Sequence, residues 1–181
     1  MIKIPDNAPF APGERENMEK LLSGLSPEQQ MWLSGHLAPS NTVVTPVASS
    51  RPLTILYGTE SGNCEELAAK SALMAKKRGF KAKTRNMAEV SVGDLAGIET
   101  LLVIVSTWGE GDPPETAVTF HKEFMAANFR LEKTKFSVCA LGDTSYEDFC
   151  EIGKQVDRKL DELGATRLVD RQDCDVDFDD D

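Results

Sequence analysis

Three polar, glycine-containing stretches, each preceded by an apolar run, carry the residues best suited to chemistry. In the first, Leu53-Thr54-Ile55-Leu56-Tyr57 runs into Gly58-Thr59-Glu60-Ser61-Gly62-Asn63, and a helix-like pattern follows. The Thr59 and Ser61 hydroxyls, the Asn63 amide and successive backbone N–H groups entering a helix can hold a phosphate. Unpaired N–H groups and the positive end of the helix dipole both attract an anion. Gly62 lets a ligand come close to the backbone. The stretch contains no Lys or Arg, so it is not a Walker loop, and it is not G-x-G-x-x-G either. A cradle without a cation suits one terminal monophosphate better than a triphosphate with magnesium. The same residues also read as an ordinary helix start, with Ser61 as N-cap and Glu65 complementing the dipole.

The second stretch is Ser106-Thr107-Trp108-Gly109-Glu110-Gly111-Asp112-Pro113-Pro114. Two glycines flanking Glu110 cost chain entropy, so the backbone itself has a task there. Trp108 offers either an aromatic wall or a cap on the core. The third is Leu141-Gly142-Asp143-Thr144-Ser145-Tyr146-Glu147-Asp148-Phe149-Cys150, where Tyr146 supplies a second aromatic or packs on a neighbouring loop. A phosphate cradle and two aromatics around one crevice would suit a flat aromatic ring bearing a single phosphate.

The elements that must position these loops alternate. Apolar runs at Leu53–Tyr57, Thr100–Ser106 and Lys135–Leu141 read as strands, the last two buried on both faces. Phe80–Arg85 is a weaker strand and Thr166–Val169 a fifth. Helical spacing covers Gly62–Arg78, Glu115–Ala127 and Asp148–Leu163, with Gly164 as C-cap of the last and a short helix beginning at Ser91–Leu95. Repeated strand–helix–strand units predict right-handed crossovers and a doubly wound, five-stranded parallel sheet with helices on both faces, ligands sitting at the carboxyl ends of its strands. Residues 1–38 form an N-terminal extension. In it a short helix spans about Glu16–Leu22, and a second starts at Ser26-Pro27-Glu28-Gln29 as a capping box and runs to about Leu37. Residues 39–52 read as a linker and 53–181 as the globular domain.

The net charge of −10 argues against nucleic acid and anionic membranes as partners. Around the second and third stretches, Glu110, Asp112, Glu115, Asp143, Glu147, Asp148 and Glu151 are either a solvated face or a guide for a basic partner. A hydrophobic fraction of 40% supplies a core without a run long enough to span a membrane. With no signal segment after Met1, a cytoplasmic location is expected. Cys64, Cys139, Cys150 and Cys174 form no C-x-x-C pair, and two histidines add no metal-ligand spacing. The cysteines read as structural. Cys64, in the first turn of a helix, has the best claim to reactivity among them.

TESGN, STWGEGDPPE and LGDTSYEDFC, in this order at the ends of successive strands, resemble the flavodoxin-like FMN domains of diflavin reductases, the sulfite reductase flavoprotein type in particular. The resemblance covers about Leu53–Phe178, and LSPEQQMWLSGHL with its linker resembles the segment preceding that domain. It implies strand order 2-1-3-4-5. It also implies an FMN phosphate wrapped by Thr59, Glu60, Ser61, Gly62 and Asn63. One wall of the ring site would come from Ser106, Thr107, Trp108, Gly109 and Gly111. The other would come from Leu141, Gly142, Asp143, Tyr146, Phe149 and Cys150. The Gly109 carbonyl would turn to accept a ring N–H of the one-electron-reduced flavin. Single electrons would pass from FAD, reduced by NADPH, to a haem or iron–sulfur acceptor such as the sulfite reductase haem subunit. A free-standing flavodoxin is the alternative. Trp108 departs from the smaller residue of many relatives. The chain is expected to stop short of the last helix such domains usually carry, and of the FAD/NADPH region. A response-regulator receiver fits poorly, because Gly58-Thr59 and Ser106-Thr107 stand where it needs acidic residues.

Overall fold

The computed structural model describes residues 12–26, 28–29 and 51–176. It divides into two compact units, Met1–Val47 and Ala48–Asp181. In the first, helix α1 spans Pro12–Ser23, starting four residues before the expected Glu16. Pro12 fits a first helical position and Glu14 complements the dipole there. The expected capping box is formed: Ser26 N–H donates to Gln29 Oε1 at 2.9 Å, and Gln29 N–H donates to Ser26 Oγ at 3.2 Å. The remainder of the helix expected to Leu37, and the expected linker up to residue 50, lie outside the described residues.

The second unit runs β1 (Arg51–Gly58), α2 (Asn63–Lys77), β2 (Phe80–Asn86), β3 (Thr100–Ser106), α3 (Val118–Met125), β4 (Lys135–Leu141), α4 (Glu151–Glu162), β5 (Thr166–Arg167) and β6 (Gln172–Cys174). Every pairing is parallel, in the order β2-β1-β3-β4-β5, with β6 also on β4. The expected fifth strand is thus two short pieces on one edge. β5 pairs with Lys135 and Phe136, and β6 pairs with Cys139 to Leu141. Residues 168–171 leave the sheet between them. Leu168 and Val169 are exposed, and no alternating pattern announces β6 in the sequence.

Apolar strand positions fill two layers because successive side chains point to opposite faces. Leu56, Val103, Val105, Phe136 and Val138 meet Phe120, Phe124, Ile152, Val156 and Leu160 of α3 and α4. Ile55, Tyr57 and Ile104 meet Cys64, Ala68 and Ala72 of α2. Burying each large side chain contributes about 1.5–3 kcal/mol. The helix expected from Glu115 opens as a 3-10 turn over Glu115–Ala117 before α3 begins. α4 begins at Glu151 and not at Asp148, because Cys150 holds a left-handed φ of 57°. It ends as expected, with Gly164 at φ 86° donating to Asp161 O at 2.9 Å.

The split edge is tied to α4 by charge. Asp157 is buried and accepts from Arg167 Nε and Nη2, each at 3.0 Å, and Arg171 Nη1 lies 3.5 Å away. Arg171 also pairs with Asp173 of β6 at 2.6 Å. The Asp157 hydrogen bond and charge raise Arg167 above its ordinary value. Removing Asp157 takes away the buried carboxylate that both guanidiniums share and leaves Arg167 only the exposed Asp161 at 3.6 Å and Arg171 only Asp173, which places the cost at the low end for breaking a buried pair. Asp157→Ala is therefore expected to lower the unfolding free energy by about 3 kcal/mol in urea titrations. A loss no larger than that of an exposed bridge, under about 1 kcal/mol, would show that the pair does not hold the edge.

Candidate functional site

Parallel pairing brings all three loops to one sheet edge. Gly58 stands opposite Val105, Val105 opposite Ala140, and Ser106 opposite Leu141. The chain therefore leaves β1, β3 and β4 at the same level. The loops enclose a cleft of about 360 Å³ lined by residues of all three and by Asp175 and Val176.

In the first loop, the start of α2 carries no side-chain cap. Its N-cap is Gly62, at φ 95°, a conformation that glycine adopts without strain. The Ser61 hydroxyl therefore does not cap the helix, which removes the helix-start alternative. Ser61 and Asn63 line the cleft. Thr59 does not line it: it is buried, its Oγ1 accepts from Gly62 N–H at 2.9 Å, and its backbone is clamped by Thr116. Thr59 thus shapes the loop from behind. Gly62 is not among the lining residues either. Glu60 lines the cleft, and its carboxylate accepts from Glu115 N–H at 2.7 Å.

The second loop is a closed turn. Trp108 and Asp112 exchange backbone hydrogen bonds of 2.8 and 2.9 Å, with Gly109 (φ 51°) and Gly111 (φ 98°) between them. Trp108 is 58% exposed, so it is not a core cap. Gly109 lines the cleft; Gly111 backs onto Asp148 instead. Thr107 lines it too, while its Oγ1 accepts from Ile152 N–H at the start of α4. Ser106 Oγ, also in the lining, is buried with no strong hydrogen-bond partner among the described residues, beside the Cys64 thiol.

The third loop contributes Leu141, Gly142, Asp143, Tyr146, Phe149 and Cys150 to the lining. A Cβ on Gly142 would lie 2.7 Å from Cys150 N and 2.9 Å from the Phe149 ring, so only glycine fits. Tyr146 is 42% exposed and faces solvent as a second unburied ring. Ser145 N–H and Oγ–H both bond Asp143 Oδ1, at 2.8 and 2.5 Å, closing the turn.

Thirteen of the sixteen residues singled out in the sequence line this cleft, with Thr59, Gly62 and Gly111 behind it. The lining holds no Lys, Arg or His, as the first loop suggested, but does hold Glu60, Asp143, Asp148 and Asp175. An anion here must rely on N–H groups, hydroxyls and the α2 dipole, a contribution of up to ~2 kcal/mol. Two features escaped the sequence reading. Asp175 and Val176 directly follow β6, a strand of three residues with no pattern, and Thr116 sits in the 3-10 turn before α3 with nothing in the sequence to mark it as a clamp. No group of three or more His, Cys, Asp or Glu among the described residues could hold a metal. No helix among them is long and apolar enough to cross a membrane.

The structural reading of the cysteines extends to Cys64, whose place in a first helical turn gave it the best claim to reactivity among them. Cys64 is fully buried, and that burial pushes its thiol up to about 11. Cys150 is buried and raised to about 12, chiefly for the same reason.

The chain belongs to the flavodoxin family: the family model for flavodoxin matches residues 55–181. Among curated proteins it is similar to the NADPH sulfite reductase flavoprotein alpha-component of Bacillus subtilis strain 168, 38% identical over 190 residues. That match covers 96% of this chain and 31% of the relative. The same component of Neisseria meningitidis serogroup B is 36% identical over 184 residues, covering 95% of this chain and 30% of the relative. The chain thus spans about 30% of the length of the curated relatives it matches. Among solved structures, a Streptococcus pneumoniae flavodoxin superposes with a TM-score of 0.62 at 23% identity, over 68% of this chain and 84% of that one. A short-chain flavodoxin associated with a bacterial microcompartment gives 0.59 at 23%, over 69% and 84%. These two share the fold.

At pH 8 a thiol held at about 11 is ionised in only about one molecule per thousand. Iodoacetamide is therefore expected to spare Cys64 and Cys150 in the native protein and to label both in urea. Rapid native labelling of Cys64 would contradict its burial.

Proposed function

We propose that the cleft binds FMN and that the domain relays single electrons for an NADPH-dependent diflavin reductase of the sulfite reductase flavoprotein type. The observation that carries the reading is the joining, in one cation-free cleft, of an uncapped helix N-terminus with two exposed aromatic rings. A flat ring with a single phosphate matches both ends of such a site. The buried Ser106 Oγ, which accepts no strong hydrogen bond among the described residues and lies beside the Cys64 thiol, offers that ligand a further polar contact.

In this reading the Ser61 hydroxyl, the Asn63 amide and the N–H groups opening α2 hold the phosphate. Thr59, from behind, keeps Gly62 in the conformation that exposes them. Trp108 and Tyr146 stack against or flank the ring, and Leu141, Gly142, Phe149 and Cys150 close its base. The backbone of Gly109 reaches the ring edge. The bound flavin supplies one-electron chemistry, and the protein contributes position, access and charge. Asp143, Asp148, Glu110 and their neighbours keep negative charge beside it, which disfavours adding further negative charge and guides a basic docking surface.

The partners proposed are an FAD/NADPH reductase region and a haem or iron–sulfur acceptor protein such as a sulfite reductase haem subunit, in the cytoplasm. Residues 53–181, extended by Arg51 and Pro52 of β1, are taken as the FMN domain, the stretch from 39 up to β1 as its linker and 1–38 as the extension. The free-standing flavodoxin reading is less supported. The reductase relatives align over about 95% of the chain, extension included, whereas the flavodoxin structures align over 68–69%.

The absorbance spectrum of the purified protein, and titration of flavin-free protein with FMN and riboflavin, test the reading. Flavin absorbance and saturable FMN binding are expected; no binding of either ligand would refute it. Ser61→Ala is expected to weaken FMN about tenfold, the scale of one charge-assisted hydrogen bond, with riboflavin little changed. Equal losses would remove the phosphate from this loop. Tyr146→Ala and Trp108→Ala are expected to weaken both ligands alike, since those rings have no phosphate to sense.

A further inference from the structure

Tyr146 is an aromatic wall with little packing support. Its ring is exposed, so its direction is set by the backbone of the 142–146 turn. Inside, the turn is closed by Asp143, whose carbonyl accepts from Tyr146 N–H at 3.1 Å and whose carboxylate takes the Ser145 donors. From outside, it is held by a residue far along the chain. Asp175 Oδ1 accepts from Thr144 N–H at 3.1 Å, and Oδ2 accepts from Thr144 Oγ1 at 2.5 Å. A third donor, Val176 N–H at 2.8 Å, fixes the carboxylate itself.

The pairing of β4 with β6 explains why these groups meet. Leu141 stands opposite Cys174, so the next residues on both strands leave the sheet together, and Gly142 N–H donates to Cys174 O at 3.0 Å. These three donors, all given to the ionised form, hold the Asp175 carboxyl below the usual carboxylate range, Thr144 Oγ–H foremost. The carboxylate stays charged at neutral pH, and its bonds are charge-assisted.

The geometry points to Asp175 as a positioning residue for the flavin site, a latch that acts through Thr144 to hold the Tyr146 wall in place. The inference rests on the FMN reading for its function, though the latch exists without the ligand. It couples the end of the split sheet edge to the mouth of the cleft. Loosening β6 would therefore loosen the ring site, while the phosphate end, built on β1 and α2, would stay intact.

The test uses the full 181-residue chain with Asp175→Ala, Thr144→Val, the double variant and the conservative Thr144→Ser. In flavin-free protein, hydrogen exchange at the residue-144 and Tyr146 amides is expected to accelerate at least tenfold in Asp175→Ala and the double variant, by less in Thr144→Val, which keeps the backbone N–H bond, and to stay near wild type in Thr144→Ser. In titrations, Asp175→Ala, which removes both bonds to residue 144, is expected to weaken FMN and riboflavin alike by about tenfold, and Thr144→Val, which keeps the backbone N–H bond, to weaken both alike by less. The double variant should be no worse than Asp175→Ala, because both act on one latch. Thr144→Ser should recover most of the affinity. Additive losses, unchanged amide exchange, or an Asp175→Ala defect for FMN but not riboflavin would each overturn the latch; the last would place Asp175 at the phosphate end. A wild type that binds neither flavin overturns the FMN reading, and with it the functional role of the latch. A wild type that binds while all variants match it overturns the latch alone.

Discussion

The parallel register of four strand ends is the constraint from which the site follows. Gly58, Val105 and Ala140 lie in one row across β1, β3 and β4, and Leu141 pairs with Cys174 of β6 one position further on. A shift of two residues in any pair would displace one loop by ~7 Å along the sheet. The phosphate end and the ring walls would then no longer face one another. The register is fixed in turn by burial. Both faces of β3 and β4 carry apolar side chains, and slipping them would expose residues such as Val103, Phe136 and Val138, which are almost wholly buried.

The chemistry of the cleft is defined as much by what it lacks as by what it holds. Its lining has four carboxylates and no cation. A phosphate bound there, as proposed, could not rely on a lysine and would need the helix start left uncapped and the loop to supply donors. Gly62 at positive φ, locked by Thr59 Oγ1 and by the Thr116 clamp behind it, achieves this without a side-chain cap. The negative surroundings that make phosphate binding demanding also suit the proposed redox role, since they disfavour holding added electrons tightly and would attract a basic partner.

Much of this was legible in the linear chain. The buried strands at Thr100–Ser106 and Lys135–Leu141 declared themselves by continuous apolarity, and the α2 start by its hydroxyls and glycine. Thirteen of the sixteen singled-out residues meet in the cleft because motif order, strand ends and parallel topology together leave few alternatives. The rest was hidden for identifiable reasons. β6 is three residues long and polar, so no periodicity marks it. The place of Cys64 in a first helical turn gave it the best claim to reactivity among cysteines read as structural, and its burial, which raises the thiol, removes that claim.

By itself the sequence determined the alternation of elements, the parallel architecture and the absence of a cation from the phosphate loop, since these depend on local composition and periodicity. Tertiary structure alone decided which hydroxyl faces the cleft and which supports it. Ser61 and Thr59 are chemically similar and two residues apart, yet one lines the site and the other is buried against Thr116. It alone also decided that Asp175 reaches Thr144 across thirty-one positions. Such pairings depend on how strands on either side of a crossover align, and that alignment is set by the packing of the whole sheet.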